Sequence, residues 1–254
     1  MRSIDLNADL GEGFGLWRMG DDDAMLGLVT SANIACGFHA GDPEIMAKSF
    51  RAAKAAGVAV GAHVSFPDLA GFGRRALSMS PSEIEHAVAY QIGAAQALAR
   101  VAQHEIAYVK AHGALANLAE RDAKVAQAIA QAVAKVDPKL TLLAIARSEQ
   151  GPAAAKAGLK VAQEIFADRA YAEDGSLAPR GEAGAVLHDS GLIVARVLTM
   201  LEEGAIVTGS GARLPTRIDS ICVHGDTPGA VAIARELRGA LEAAGWRLQS
   251  LTAA

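Results

Sequence analysis

The sequence predicts an α/β fold built on a parallel sheet, and three observations carry that expectation. Short apolar segments alternate with longer alanine-rich ones, polar residues gather where the apolar segments end, and no linker or compositional break divides the 254 residues. Strand–helix alternation of this kind implies parallel strands with helices packed on them. The length is enough to bury a sizeable core, and the chain reads as one domain, 1–254. Roughly seven strands permit a closed (β/α) barrel or an open doubly wound sheet, and periodicity alone does not choose between them.

Strands are expected at 3–8, 29–35, 58–63, 105–110, 140–146, 161–166 and 220–223. Helices are expected at 43–56, 81–102, 118–136, 149–157, 189–202 and 228–245. Asp42-Pro43 sets a cap before a proline at the first helical position. Ser80-Pro81-Ser82-Glu83 does the same and adds a glutamate three residues after the serine. Gly57 and Gly158 read as helix stops. The stretch 167–218 breaks the rhythm; with turn signals at Asp174-Gly175 and Gly209-Ser210-Gly211, it reads as a longer loop, one helix and a small hairpin at the barrel mouth.

Composition narrows the function classes. Hydrophobic residues make up 51% and charged residues 20%, an ordinary globular balance. The net charge of -4 and the scattered lysines and arginines argue against nucleic acid as a partner. Cys36 and Cys222 sit in apolar runs and are expected as buried thiols. The N-terminus runs straight into Ser3-Ile4-Asp5-Leu6-Asn7, which predicts no secretory leader, and no apolar run approaches a membrane span of ~20 residues. A soluble, cytoplasmic protein is the expectation, with no membrane partner.

The strand ends carry the chemistry. The first strand ends in Asn7-Ala8-Asp9, the second in Asn33 followed by His39, the third in His63, and the fourth in Lys110-Ala111-His112. The sixth ends in Asp168-Arg169 and the last in His224-Gly225-Asp226. Parallel α/β folds assemble their sites at that end of the sheet. A single strand-end histidine is usually structural. Four of them with Asp9, Asp168 and Asp226 favour a shared site for metal-assisted hydrolysis or for acid–base work without metal. Catalytic groups are therefore expected among Asp9, His39, His63, His112 and Asp168. Substrate contacts are expected among Asn7, Asn33, Arg74, Lys110, Arg169, His224 and Asp226, and a metal, if bound, at Asp9, His39 and His63. Lys110 suits a carboxylate or phosphate as a point charge, and the pair Arg74-Arg75 suits an anion held bidentately. His86 and His104 read as surface residues, His188 is open, and Asp21-Asp22-Asp23 reads as acids at a helix start. Neither glycine-rich run, at 11–15 or 209–213, ends like a P-loop, and no Gly-x-Ser-x-Gly elbow occurs.

The same residues carry a family resemblance. The runs 5–15, with Asn7-Ala8-Asp9 and Gly11-Glu12-Gly13, 30–43, with Gly37-Phe38-His39-Ala40-Gly41-Asp42, and 66–75, with Gly71-Phe72-Gly73-Arg74-Arg75, resemble the LamB/YcsF family. So do 90–94, 112–115, 166–171 and 220–226, in family order over nearly the whole chain. The resemblance implies a seven-stranded (β/α) barrel related to the deacetylase-like barrels. It also implies ATP-dependent opening of the lactam 5-oxoproline to L-glutamate, in a complex with separate 5-oxoprolinase subunits B and C. ATP is then the cofactor, most simply with magnesium, and the missing P-loop suits ATP held by a partner subunit. Ala8 stands where the family often has cysteine, so no thiol mechanism is available at that position. The runner-up is a stand-alone metal-dependent amide or carbohydrate deacetylase.

Overall fold

Seven parallel strands close on themselves in the computed structural model, which describes residues 2–225 and 229–251. In chain order the elements are β1 (Ser3–Leu10), α1 (Asp22–Leu26), β2 (Ser31–Ala35), α2 (Pro43–Ala56), β3 (Ala59–Val64), α3 (Pro81–Val101), β4 (Ile106–Ala111), α4 (Gly113–Arg121) and α5 (Ala123–Val136). They continue with β5 (Thr141–Ile145), α6 (Gln150–Lys156), β6 (Lys160–Phe166), α7 (Ser190–Glu203), β7 (Ala205–Val207), β8 (Arg213–Pro215), β9 (Ser220–Val223), α8 (Ala230–Ala243) and β10 (Arg247–Leu248). The barrel runs β1-β2-β3-β4-β5-β6-β9, and β9 returns to β1 in parallel register from Asp5↔Ser220 to Ala8↔Val223. Closure settles the choice the periodicity left open, because an open sheet would leave two strand edges unpaired. All seven expected strands are present within two residues of their expected bounds.

Local signals explain most helix ends. The Asp42 side chain accepts from the N–H groups of Glu44 and Ile45, Ser80 and Glu83 form a reciprocal capping box, and Gly57 ends α2 at φ 69°. One expected helix is corrected: 118–136 is two helices, α4 and α5, meeting at Asp122. Its extended backbone (φ -103°, ψ 105°) breaks the helix, while its carboxylate accepts from the N–H groups of Lys124 (2.8 Å) and Val125 (3.4 Å) and restarts it. The irregular stretch before β9 contains α7 and the β7–β8 hairpin, as the turn signals indicated. No helix among the described residues is long and apolar enough to cross a membrane.

Strand alternation sorts the two faces of the barrel. Ile4, Leu6, Ala8 and Leu10 of β1 face outward and join the large apolar cluster with Phe50, Ile92, Ile129, Val197 and Leu237 of the surrounding helices. The intervening Asp5, Asn7 and Asp9 face the interior with Ser31, Asn33, Tyr108, Lys110, Glu164, Ser220 and Cys222, all buried. Tyr108 crosses this interior and donates to Asn33 Oδ1 at 2.7 Å. It fits because position 61 is glycine: a Cβ there would stand 2.3 Å from the tyrosine ring. Gly61→Ala is expected to cost about 1–3 kcal/mol by overpacking, read as a lower urea midpoint at unchanged m-value; an unchanged midpoint would mean that the ring is not held there.

Candidate active site

A continuous hydrogen-bonded column rises through the barrel to its mouth. At the base, Ser31 (2.6 Å), Thr30 (2.7 Å) and Ser220 donate to the Asp5 carboxyl, whose pKa is pushed up by burial although these hydroxyls oppose the shift. Asn7 Nδ2 donates to Ser220 Oγ at 2.7 Å and to Glu164 Oε2 at 3.3 Å. Asn33 Nδ2 donates to Asn7 Oδ1 at 2.7 Å and to Asp9 Oδ1 at 2.8 Å. Lys110 Nζ caps the column, 3.0 Å from Asp9 Oδ1, 3.1 Å from Glu164 Oε2 and 3.0 Å from Cys222 Sγ.

The charges in this column are tied together. Burial pushes the Lys110 pKa down, yet the Asp9 and Glu164 carboxylates, with Cys222 Sγ accepting at 3.0 Å, hold it well above the usual lysine value. Burial likewise pushes Asp9 up, but His63 and Lys110 outweigh it and hold the carboxyl well below its ordinary range. Glu164 moves the other way: burial dominates and raises it, with Lys110 only partly opposing. Both thiols are free, buried and raised by burial, Cys36 to about 12.

Above Asp9 lie three histidines. His63 Nε2 is 3.4 Å from Asp9 Oδ1 and 3.0 Å from His112 Nδ1. His39 stacks on His112 with centroids 3.8 Å apart, and its Nε2 is 3.1 Å from Glu12 Oε1. The outer nitrogens face backbone carbonyls: His63 Nδ1 lies 3.3 Å from Lys110 O, and His112 Nε2 lies 2.9 Å from Phe72 O. Carbonyls only accept, so these two nitrogens donate, and the inner nitrogens of His63 and His112 face one another across 3.0 Å. A shared proton or a cation satisfies that arrangement; two bare lone pairs do not. Burial, and then neighbouring imidazole charge, holds the pKa values of both His39 and His112 well below the usual histidine range.

A second dyad stands across the mouth. His224 Nδ1 is 2.8 Å from Asp168 Oδ1, and its ring stacks on Phe166. Burial acts to raise Asp168, but the His224 partner prevails and lowers it. A carboxylate on Nδ1 fixes the tautomer and orientation of the imidazole. These groups open on a cavity of about 330 Å³ that includes Asp9, His63, Lys110, His112, Arg169 and His224 in its lining, together with Arg74.

The expected residues therefore divide. Asp9, His63, His112, Lys110, Arg74, Arg169 and His224 line the cavity, while Asp168 and His39 lie directly behind them. Asn7 and Asn33 do not line it; both are 0% exposed, and their amides are spent on each other, Asp9, Glu164, Ser220 and Tyr108, so they support Asp9 and Lys110 from below. The expected pairing of Arg74 with Arg75 is corrected: Arg75 turns away to Asp68, its Nε 3.0 Å from Oδ1, while the Arg74 guanidinium lies over Phe72 at 4.9 Å. Asp226 lies outside the described residues. Glu12, Glu164 and Tyr108 were not expected. The signal for Glu164 was a lone acid inside an apolar strand, since an unpaired buried carboxylate is costly. His86 and His188 are exposed, and His104 is half-buried with Nε2 3.0 Å from Val58 O.

The profile of the LamB/YcsF family matches residues 4–254. A protein from Azorhizobium caulinodans, named as the A subunit of 5-oxoprolinase, is 58% identical over 96% of this chain and 97% of its own length. One of the same name from Gluconobacter oxydans is 57% identical over 99% of both chains. The crystal structure of a lactam utilization protein from Thermus thermophilus superposes with a TM-score of 0.92 at 44% identity, covering 98% of this chain and 100% of that one. With a match over nearly its whole length, this chain belongs to the LamB/YcsF family.

Proposed function

We propose that this chain hydrolyses the lactam bond of 5-oxo-L-proline (pyroglutamate) to give L-glutamate, as the barrel component of an ATP-coupled complex with subunits B and C. Among the site features, Asp9 carries the reading: it is a carboxylate held ionised at the wall of a buried cavity, with imidazoles beside it. The relatives' name supplies the substrate. The alternative of a stand-alone deacetylase is not favoured, since relatives at 53–58% identity over nearly the full chain share the 5-oxoprolinase name.

The chemistry follows from the groups at the mouth. Opening an unstrained five-membered lactam beside a carboxylate is unfavourable, and coupling to ATP supplies the driving force. The lactam oxygen takes the γ-phosphoryl group and ADP leaves. Asp9 accepts a proton from water as the water adds to the activated carbon. The C–N bond then opens to the amine, with His224, aligned by Asp168, placed to give a proton to the leaving nitrogen. Water finally releases phosphate from the acyl phosphate. Arg74 and Arg169 offset the negative charge of the activated substrate and the charge that develops as it reacts.

This chain has no recognisable P-loop, so ATP, with its magnesium, is assigned to the partner subunits, and a reaction that draws on ATP belongs in the cytoplasm. The residues present also fit a divalent ion. Glu12, His39, His63 and His112 each bring one ligand atom within 4.8 Å of the others, whereas Asp9, expected with His39 and His63, groups instead with Cys222 and His224. The outward N–H groups of His63 and His112 rest on carbonyls, as metal-bound imidazoles usually do. Three imidazoles suit a transition ion better than magnesium, and such an ion would polarise the reacting oxygen.

The test is glutamate release from 5-oxoproline, measured for this chain alone and mixed with the two partner subunits, with and without ATP. Release is expected only from the complete mixture with ATP. No release from that mixture, with the three chains shown to be folded and bound, overturns the reading.

A further inference from the structure

The inner cavity adjoins a second, outer one of about 630 Å³, and the two share Arg74, Asn117, Arg169, Leu177, Pro179 and Arg180. The outer cavity adds Arg121, so four guanidinium groups surround one continuous opening. On a chain whose net charge is -4, this is a local concentration of positive charge. The outer cavity also holds two carboxylates, Glu120 and Asp122, against its four arginines, and Glu120 feels the charges of Arg121 and Arg169. Glu120 Oε1 accepts from the N–H of Leu177 at 3.0 Å, and Asp122 caps α5. None of the ion pairs among the described residues uses Arg121, Arg169 or Arg180.

Arg169 is the most constrained of the four. It is 4% exposed, and its guanidinium donates to the carbonyls of Ala178 (2.5 Å) and Ala185 (3.4 Å). Burial, reinforced by the charge of Arg180, outweighs the pull of Asp168 and brings its pKa down to about 10. Arg121 is steadied by a 2.7 Å bond from Nη2 to Ser176 Oγ. Two neutral carbonyls and the more distant carboxylates of Asp168 and Glu120 compensate the Arg169 charge only in part, and holding a buried cation beside a second one is costly unless an anion joins them. A monocarboxylate neutralises one arginine. Four guanidinium charges around one opening match a group with several charged oxygens, for which planar guanidinium is the preferred donor even where some of its N–H groups are already used.

We propose that the boundary between the two cavities, ringed by Arg74, Arg121, Arg169 and Arg180, is a phosphoryl-binding site. A ligand there reaches the Asp9 cavity with its reacting carbon inward and its phosphoryl group among the arginines. This deepens the lactam-opening reading and rests on it for the identity of the inner group: the lactam meets the barrel with its oxygen phosphorylated. The other source of the same chemistry is the polyphosphate tail of a nucleotide reaching in from outside.

Calorimetric titration of the purified chain with pyrophosphate, with acetate at matched ionic strength, and with a non-hydrolysable ATP analogue tests this directly. Pyrophosphate is expected to bind at least about tenfold more tightly than acetate. Arg121→Ala and Arg180→Ala are each expected to weaken it about tenfold, the worth of one charge-assisted contact. Lys139→Ala, in the loop before β5 at the opposite end of the barrel, is expected to leave it unchanged. Arg121 is exposed and Arg180 half-buried, so both variants should fold, which a melting curve verifies. Equal binding of pyrophosphate and acetate, or full pyrophosphate binding by both arginine variants, overturns the site. An ATP analogue no tighter than pyrophosphate assigns the phosphoryl group to the substrate, and one about tenfold tighter or more assigns it to a nucleotide. Binding is read without turnover, so its failure and a failure to form glutamate are separate results.

Discussion

Lys110→Met is expected to destabilise the protein by about 3–5 kcal/mol, the usual cost of removing one partner from a buried ion pair. The ammonium group is 3% exposed and sits among Asp9, Glu164 and Cys222, with the Phe166 ring 5.3 Å away. Methionine fills similar volume, so packing changes little, but the two carboxylates, 5% and 1% exposed, lose their common counter-charge. Asp9 keeps His63 at 3.4 Å, whereas Glu164 keeps only the amide of Asn7 at 3.3 Å. The larger share of the penalty should therefore sit on Glu164. Adding Glu164→Gln to Lys110→Met removes that second charge and should recover part of the stability. In a thermal melt the single variant should fall by roughly 10 °C for a domain of this size, and the double variant by less. A single variant within a degree or two of the parent would mean that water reaches the column and screens it. A double variant no better than the single would put the penalty on Asp9 instead.

That column also shows what could and could not be read from the sequence. The seven strands were legible because apolar runs of the right length separate marked helix starts, such as Asp42-Pro43 and Ser80 to Glu83. Closure was not legible in the periodicity, because it depends on β9 pairing with β1 across the chain, as between Asp5 and Ser220, 215 residues apart; the family resemblance implied the seven-stranded barrel, and the structure bears it out. The division at Asp122 was hidden by good helix formers on both sides; only the aspartate, a residue that prefers caps to helix interiors, marked it. The site was legible as a region: the strand-end histidines and Asp9 do converge, because parallel strands carry their last residues to one rim. Partner choice within the region was not legible. Arg74 and Arg75 are adjacent in sequence, yet Arg75 is drawn to Asp68 seven positions back. Lys110 ends a strand like any exposed lysine, and only the inward register of Asp9, Glu164 and Cys222 turns it into a buried counter-ion. Glu12, Arg121 and Arg180 gain their places from loops and helices whose paths the strand pattern does not fix.

Asp9→Asn is expected to lower ATP-coupled glutamate formation by about 10²-fold, the low end for a positioned general base because its carboxyl is held well below the usual range, while leaving the fold standing. Asparagine keeps an oxygen where Oδ1 accepts from Asn33 at 2.8 Å and from Lys110 at 3.0 Å. Lys110 also keeps Glu164 at 3.1 Å, so its charge is not orphaned as the carboxylates are when the lysine is removed. The negative charge and the basic lone pair are what disappear. The two variants thus separate roles that one node combines: Lys110→Met should move the melting temperature most, and Asp9→Asn should move turnover most. Substrate affinity distinguishes base from binder. If Asp9 takes a proton from water, kcat falls and KM changes little, whereas a substrate contact would raise KM first. A variant that retains more than about a tenth of the parental kcat, under conditions where chemistry limits the rate, removes Asp9 from the base role, since even a weak general base contributes about 10²-fold. The histidines across the cavity would then be the next candidates. His224 comes first among them, because its tautomer is fixed by Asp168 at 2.8 Å, whereas His63 and His112 are engaged with one another.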